Sequence, residues 1–65
     1  MKELDTVRLT VDLLDLGLNK GAIGVILLEF VPPGDVFQVE FVDENGRTLT
    51  ETSIEQSLLE LVAEH

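Results

Sequence analysis

The hydrophobic and polar positions of this chain fall into short runs whose period changes at turn residues. From Leu4 to Val11 they alternate, with Val7, Leu9 and Val11 on one side and Thr6, Arg8 and Thr10 on the other. That period of two predicts a strand with one buried face. The alternation then stops. Asp12-Leu13-Leu14-Asp15-Leu16-Gly17-Leu18-Asn19 ends in turn formers and reads as a loop, although four of the six residues from 13 to 18 are leucine. Two readings of so apolar a loop stand side by side. Its leucines cover the open end of a small barrel, which has no helix for that job, or Leu14 and Leu16 stand partly exposed as a contact patch flanked by Asp12 and Asp15.

Lys20-Gly21-Ala22-Ile23-Gly24 reads as a bend, with Gly21 and Gly24 setting a turn and a kink. In the stretch from Ile23 to Val31 that follows, only Gly24 and Glu29 are not apolar. It predicts a strand buried on both faces, either because one long curved strand serves both layers of a barrel or because one face is half of an interface. Pro32-Pro33-Gly34-Asp35 ends it, since proline gives no donor to a ladder and Pro-Gly favours a turn. Val36 to Val42 alternates again, with Phe37, Val39 and Phe41 inward and Gln38 and Glu40 outward.

Asp43-Glu44-Asn45-Gly46-Arg47 predicts a hairpin. A two-residue Asn45-Gly46 loop would set Glu40 opposite Glu51, a like-charge pair that costs stability. A three-residue loop with Gly46 left-handed sets Asp43 opposite Arg47 and Phe41 opposite Leu49 instead, and is the preferred register. It leaves Glu51 opposite Val39, which calls for a bulge or a wet sheet end. Thr48 to Thr52 is the return strand. Beyond it two structures fit the residues. Ser53 and Gln56 match a capping box that opens a helix with Leu58, Leu61 and Val62 on one face; alternatively, a 3-10 turn at Ile54–Gln56 leads into a strand over Leu58–Val62. Ala63-Glu64-His65 reads as a frayed tail after a single domain spanning 3–62.

Size sharpens this picture. The 65 residues make one domain near the lower limit, where a single core leaves roughly 3–5 kcal/mol of net stability. There is no cysteine, so neither a disulfide frame nor a thiolate zinc site exists to help. Self-association or a protein partner is the remaining source. Only three residues are aromatic, all phenylalanine, so the core is built from Val, Leu and Ile.

Thirteen acids against four bases give a net charge of −9. Phosphate backbones and anionic membranes are repelled by such a chain. The charge either only confers solubility or steers the chain toward a basic protein. No stretch approaches the length of a membrane span, and Glu3 and Asp5 stand where a signal peptide carries bases, so a cytoplasmic protein is expected.

Reactive constellations are missing. With no Cys, Tyr or Trp and one histidine at position 65, no nucleophile has a base beside it. His65 reads as a solvated end. Gly17, Gly21 and Gly24 do not form a phosphate cradle, because Lys20 precedes Gly21 and a strand follows where a P-loop needs a helix. Asp43-Glu44-Asn45-Gly46 resembles part of a calcium loop, but Phe41 and Thr52 would fall at its first and twelfth positions and supply no carboxylate. Asp12 with Asp15, or Glu40 with Asp43, reads as a solvated face, and so small a barrel has little room for a pocket. No catalytic residue, cofactor or metal is expected, and no enzyme activity.

Taken in order, Leu4-Asp5-Thr6-Val7, Gly17-Leu18-x-Lys20-Gly21-x-x-Gly24 and Val39-Glu40-Phe41-Val42-Asp43-x-x-Gly46-Arg47-Thr48-Leu49 resemble the small bacterial domain family DUF4926, over about residues 3 to 62. The resemblance implies an SH3-like barrel of about five antiparallel strands, with a short 3-10 turn before the last. It also implies, from toxin-like proteins encoded beside family members, an antitoxin or immunity role. The Lys20-Gly21-x-x-Gly24 element is similar to the turn of KOW-type barrels, many of which touch RNA, though the charge of this chain argues against nucleic acid.

The expected function is therefore a non-enzymatic interaction module for a basic protein, contacted through Asp12, Leu14, Asp15 and Leu16. The alternatives are a homo-oligomer joined through the apolar outer face of the second strand, and an RNA-associated module using Lys20, Arg8 and Arg47.

Overall fold

The alternating runs become strands with one buried face. In the computed structural model, which describes residues 1–29 and 34–65, these are β1 (Thr6–Leu9), β2 (Ile23–Glu29), β3 (Val36–Val42), β4 (Thr48–Glu55) and β5 (Leu59–Ala63). Two 3-10 turns, η1 (Leu14–Leu16) and η2 (Gln56–Leu58), complete the order. All pairings are antiparallel, in one sheet ordered β4-β3-β2-β1-β5. The all-β class, the five strands and the 3-10 turn ahead of the last strand are as expected. Among the described residues no ladder joins β4 to β5, so these are the two ends of the sheet. Among the described residues no helix covers it, yet Val7, Ile26, Val39 and Phe41 have 0% exposure. A flat sheet would leave those side chains wet on one side, so the inner face is covered by the sheet's own curvature.

The core draws on every strand: Val7 and Leu9 of β1, Ile26 of β2, Phe37, Val39 and Phe41 of β3, Ile54 of β4 and Leu59 of β5, with Leu18 added from the loop. At its centre the second and third strands are pressed together at Gly24. A Cβ there would meet Val39 Cγ1 at 2.7 Å and the Glu40 carbonyl oxygen at 3.0 Å. Glycine is required by close approach, and the bend before β2 is made by Gly21, with φ +95°.

Several expectations are corrected. β1 is shorter than the alternation, because Lys2–Asp5 form a turn before it and Thr10 leaves the ladder, giving both its N–H and its hydroxyl to the Leu58 carbonyl at 2.9 Å. Val11 is thereby exposed. The capping-box helix does not form: Ser53 lies in β4, its hydroxyl donating to Gln38 Oε1 at 3.0 Å. The 3-10 turn starts at Gln56 and the closing strand at Leu59, slightly later than expected. β4 itself runs three residues past Thr52, to Glu55.

The hairpin is half as expected. Its tip has Gly46 left-handed at φ +80°, and Asp43 N–H reaches the Arg47 carbonyl. A register shift between Phe41 and Val42 then places Phe41 opposite Thr50, not Leu49, and brings Glu40 opposite Glu51. The like-charge pair that a three-residue loop with simple pairing would avoid is present, because the bulge absorbs Leu49 and leaves it 56% exposed.

β2 is less buried than its composition implies: Gly24 and Ile26 face the core, Ile23, Val25 and Leu27 are half-buried and Leu28 is exposed. Its expected continuation to Val31 and its stop at Pro32-Pro33 lie outside the described residues. At the other end of the chain, Ala63 is the last residue of β5 and stands opposite Thr6. Among the described residues no helix is long and apolar enough to cross a membrane.

Candidate functional site

The apolar loop is built on a small bridge. Leu13 and Leu18 exchange backbone hydrogen bonds, N–H to carbonyl at 2.8 and 3.1 Å, and so close a neck from which η1 protrudes. Inside the neck Leu14–Leu16 make one 3-10 turn, ended by Gly17 at φ +71° with its N–H on the Leu14 carbonyl. The four leucines divide accordingly. Leu18 is 1% exposed and Leu13 packs half-buried against the core, whereas Leu14 is 73% and Leu16 38% exposed. Covering of the core is thus done by Leu13 and Leu18, while Leu14 and Leu16 are left on the outside.

The two acids differ as well. Asp12 Oδ1 accepts the Lys20 N–H at 2.7 Å, which ties the start of the loop to the bend before β2. Asp15 is exposed on the turn itself, between the two outward leucines. The structure therefore brings Leu14, Asp15 and Leu16 onto one short protruding turn, and places Asp12 at its base in a bonding role.

A carboxylate that the sequence reading passed over lies elsewhere. Asp5 is 2% exposed. Its oxygens accept the Lys2 backbone N–H, the Lys2 ammonium and the His65 backbone N–H, each at 2.9 Å. The acceptor thus draws both chain ends together beside β1. The His65 amide above all, then the Lys2 ammonium, holds the Asp5 carboxyl down at about 2. The same hydrogen bond raises the Lys2 ammonium above its ordinary range. The signal was present in the pattern: Asp5 shares the parity of Val7 and Leu9, so an acid on the buried side of β1 needed donors, and Lys2 stands three residues before it. Next to Asp5, Leu4 has φ +70°, unusual for a residue with a Cβ, and is 49% exposed.

These contacts settle where the positive charge is used. Lys2 is paired with Asp5, and Arg8 with Glu60, its Nε donating at 2.6 Å. Of the three bases expected to form a basic spot, Arg8 is therefore engaged. Among the described residues only Asp5 and Glu60 of the 13 acids have an ion-pair partner, which leaves eleven acids against the two remaining bases, Lys20 and Arg47. The excess is dense on the β3–β4 hairpin, where Glu40 and Glu51 stand side by side, moderated by the Thr48 hydroxyl on Glu40 at 2.7 Å and Gln38 Nε2 on Glu51 at 3.4 Å.

A family model described as a domain of unknown function, DUF4926, matches residues 3–61. Neither the curated proteins nor the solved structures contain a match to the chain.

Proposed function

Since the chain belongs to the DUF4926 family of domains of unknown function, we propose that it is a non-enzymatic protein-interaction module which binds a basic protein through η1. The observation that carries this reading is Leu14, 73% exposed on an ordered turn beside Asp15 and Leu16. The bridged neck already fixes the backbone that carries Leu14, so little main-chain freedom is lost when a partner covers it, which favours binding. The uncompensated acids supply long-range attraction to a basic surface and discriminate against acidic ones. Such a module suits an antitoxin or immunity role toward a basic toxin-like protein, as the resemblance to the family implies.

The test compares wild type with Leu14→Lys and Leu16→Lys in capture of partners from the native cell, alongside thermal melts. Capture of a basic protein by wild type, lost in both variants at unchanged melting temperature, supports the reading. Equal capture by all three, or unfolding of both variants, refutes it.

A second reading, self-association through the outer face of β2, draws on Leu28, 50% exposed, beside half-buried Ile23 and Val25. Sedimentation at micromolar concentration decides it, and a clean monomer removes it.

A further inference from the structure

Where β4 gives way to η2 the surface is concave. A groove of about 650 Å³ opens there, floored by Met1, Val36 and Leu59. That volume is within the roughly 300–1,000 Å³ range of ligand sites. Leu59 belongs to the core, and Met1 packs against the same cluster, so the floor is part of the folded body. The rim is polar: Asp35, Glu55, Gln56 and Ser57. The main chains of Asp35 and Gln56 are joined there, because the Gln56 backbone N–H donates to the Asp35 carbonyl. Among the described residues none of the four rim side chains has a hydrogen-bond partner within the chain, and no Lys, Arg or His lines the groove, although Met1, which does, carries the α-ammonium.

A ligand that matches this surface has an apolar stem and a cationic, donor-rich head. A bare metal ion gains nothing from Met1, Val36 and Leu59, and an anion is repelled by Asp35 and Glu55. We propose that the groove binds an arginine side chain. Its methylenes cover the Leu59 floor while the guanidinium, with five donors in a plane, spans the Asp35 and Glu55 carboxylates and reaches the Gln56 or Ser57 oxygen. Arginine fits better than lysine, since acceptors spread around a rim match a fork more closely than a compact ammonium, and the guanidinium is the less costly cation to desolvate. The inference deepens the reading of the chain as a module for a basic protein, on which the source of that arginine rests. It concerns a surface that shares no residue with η1.

The test titrates the isotope-labelled full chain with N-acetyl-arginine-N-methylamide, with the citrulline analogue at matched ionic strength as the uncharged control. Binding of one side chain is weak, of millimolar order. The expected result is saturating amide shifts confined to Val36 and Glu55–Leu59, with arginine and not with citrulline. Asp35→Asn combined with Glu55→Gln, checked for unchanged melting, weakens them by about tenfold or more. Non-saturating shifts spread equally to the Asp43–Gly46 tip, equal shifts with citrulline, or full binding by the double variant overturn the proposal. Failure here with Leu14-dependent capture intact removes the groove and leaves the interaction reading standing. Arginine binding with Leu14-independent capture does the reverse.

Discussion

Two regions of this molecule hold carboxylates at short range, and they do so in opposite ways. At the seam of the chain ends, the buried Asp5 collects three N–H donors from Lys2 and His65. On the β3–β4 hairpin, Glu40 and Glu51 face one another across the sheet, and among the described residues a hydroxyl and an amide are their only side-chain hydrogen-bond partners. The first carboxylate is an integral part of the fold. The second pair is tolerated by it, in contact with water. A net charge of −9 is therefore not one property of the chain: part of it holds the structure together, and part opposes it while remaining available to a partner.

The largest effect is expected from Asp5→Asn. The amide keeps the shape but loses the charge, and its NH₂ group faces donors where an acceptor is required. A clear drop in the urea midpoint at pH 7 should result. The pH dependence carries the sign of the interaction. Because the folded carboxyl is held at about 2, below its ordinary 3.8, its contribution is complete above roughly pH 4 and is lost as the pH falls toward 2. Wild type should lose midpoint across that window, and Asp5→Asn should lose correspondingly less. Parallel curves for the two proteins would mean that the seam is no more dependent on its carboxylate than the hairpin is.

Gly24→Ala tests whether the two regions are one cooperative body. Gly24 stands opposite Val7 on the seam side and Phe41 on the hairpin side. The added methyl meets the Glu40 backbone oxygen as well as the Val39 side chain, so β2 and β3 must part. Overpacking of this kind costs about 1–3 kcal/mol. Circular dichroism and amide exchange should report a single transition lowered by that amount. Two separate transitions would show that the seam and the hairpin unfold independently.

How much of this was legible follows from which residues have a partner nearby in the chain. Val7, Leu9, Phe37, Val39 and Phe41 are buried as their alternation predicts, because a period of two depends only on the pleat. The left-handed Gly46 was equally readable, since the turn is local. The hairpin register was not: it depends on a bulge at Leu49, and nothing in five consecutive residues says that an apolar side chain will be given up to solvent. The closing segment needed distant residues too, for Ser53 lies in a strand paired along β3, with its hydroxyl on Gln38 across the ladder. At the candidate site, the sequence singles out Leu14 and Leu16, but whether they cover the core or stand outside it is decided by the Leu13–Leu18 bridge, which no local pattern announces. Asp5 was legible only in part: its parity with Val7 and the nearby Lys2 are local, but the His65 donor lies sixty residues away in the chain.

The smallest effect is expected where the hairpin acids meet. Glu51→Lys converts a like-charge cross-strand pair into an attractive one opposite Glu40, at the cost of the long Gln38 contact of 3.4 Å. Cross-strand charge pairs are worth about 0.2–1 kcal/mol, and both groups here have access to water, so a gain near the lower end is expected in dilute buffer. At 1 M salt, where screening acts within about 3 Å, the gain should vanish. A rise in melting temperature that salt abolishes identifies the pair as a repulsion the fold bears without need. A fall instead would place Glu51 with Asp5, as a carboxylate whose hydrogen bonds outweigh its neighbour's charge, and would erase the distinction between the two regions.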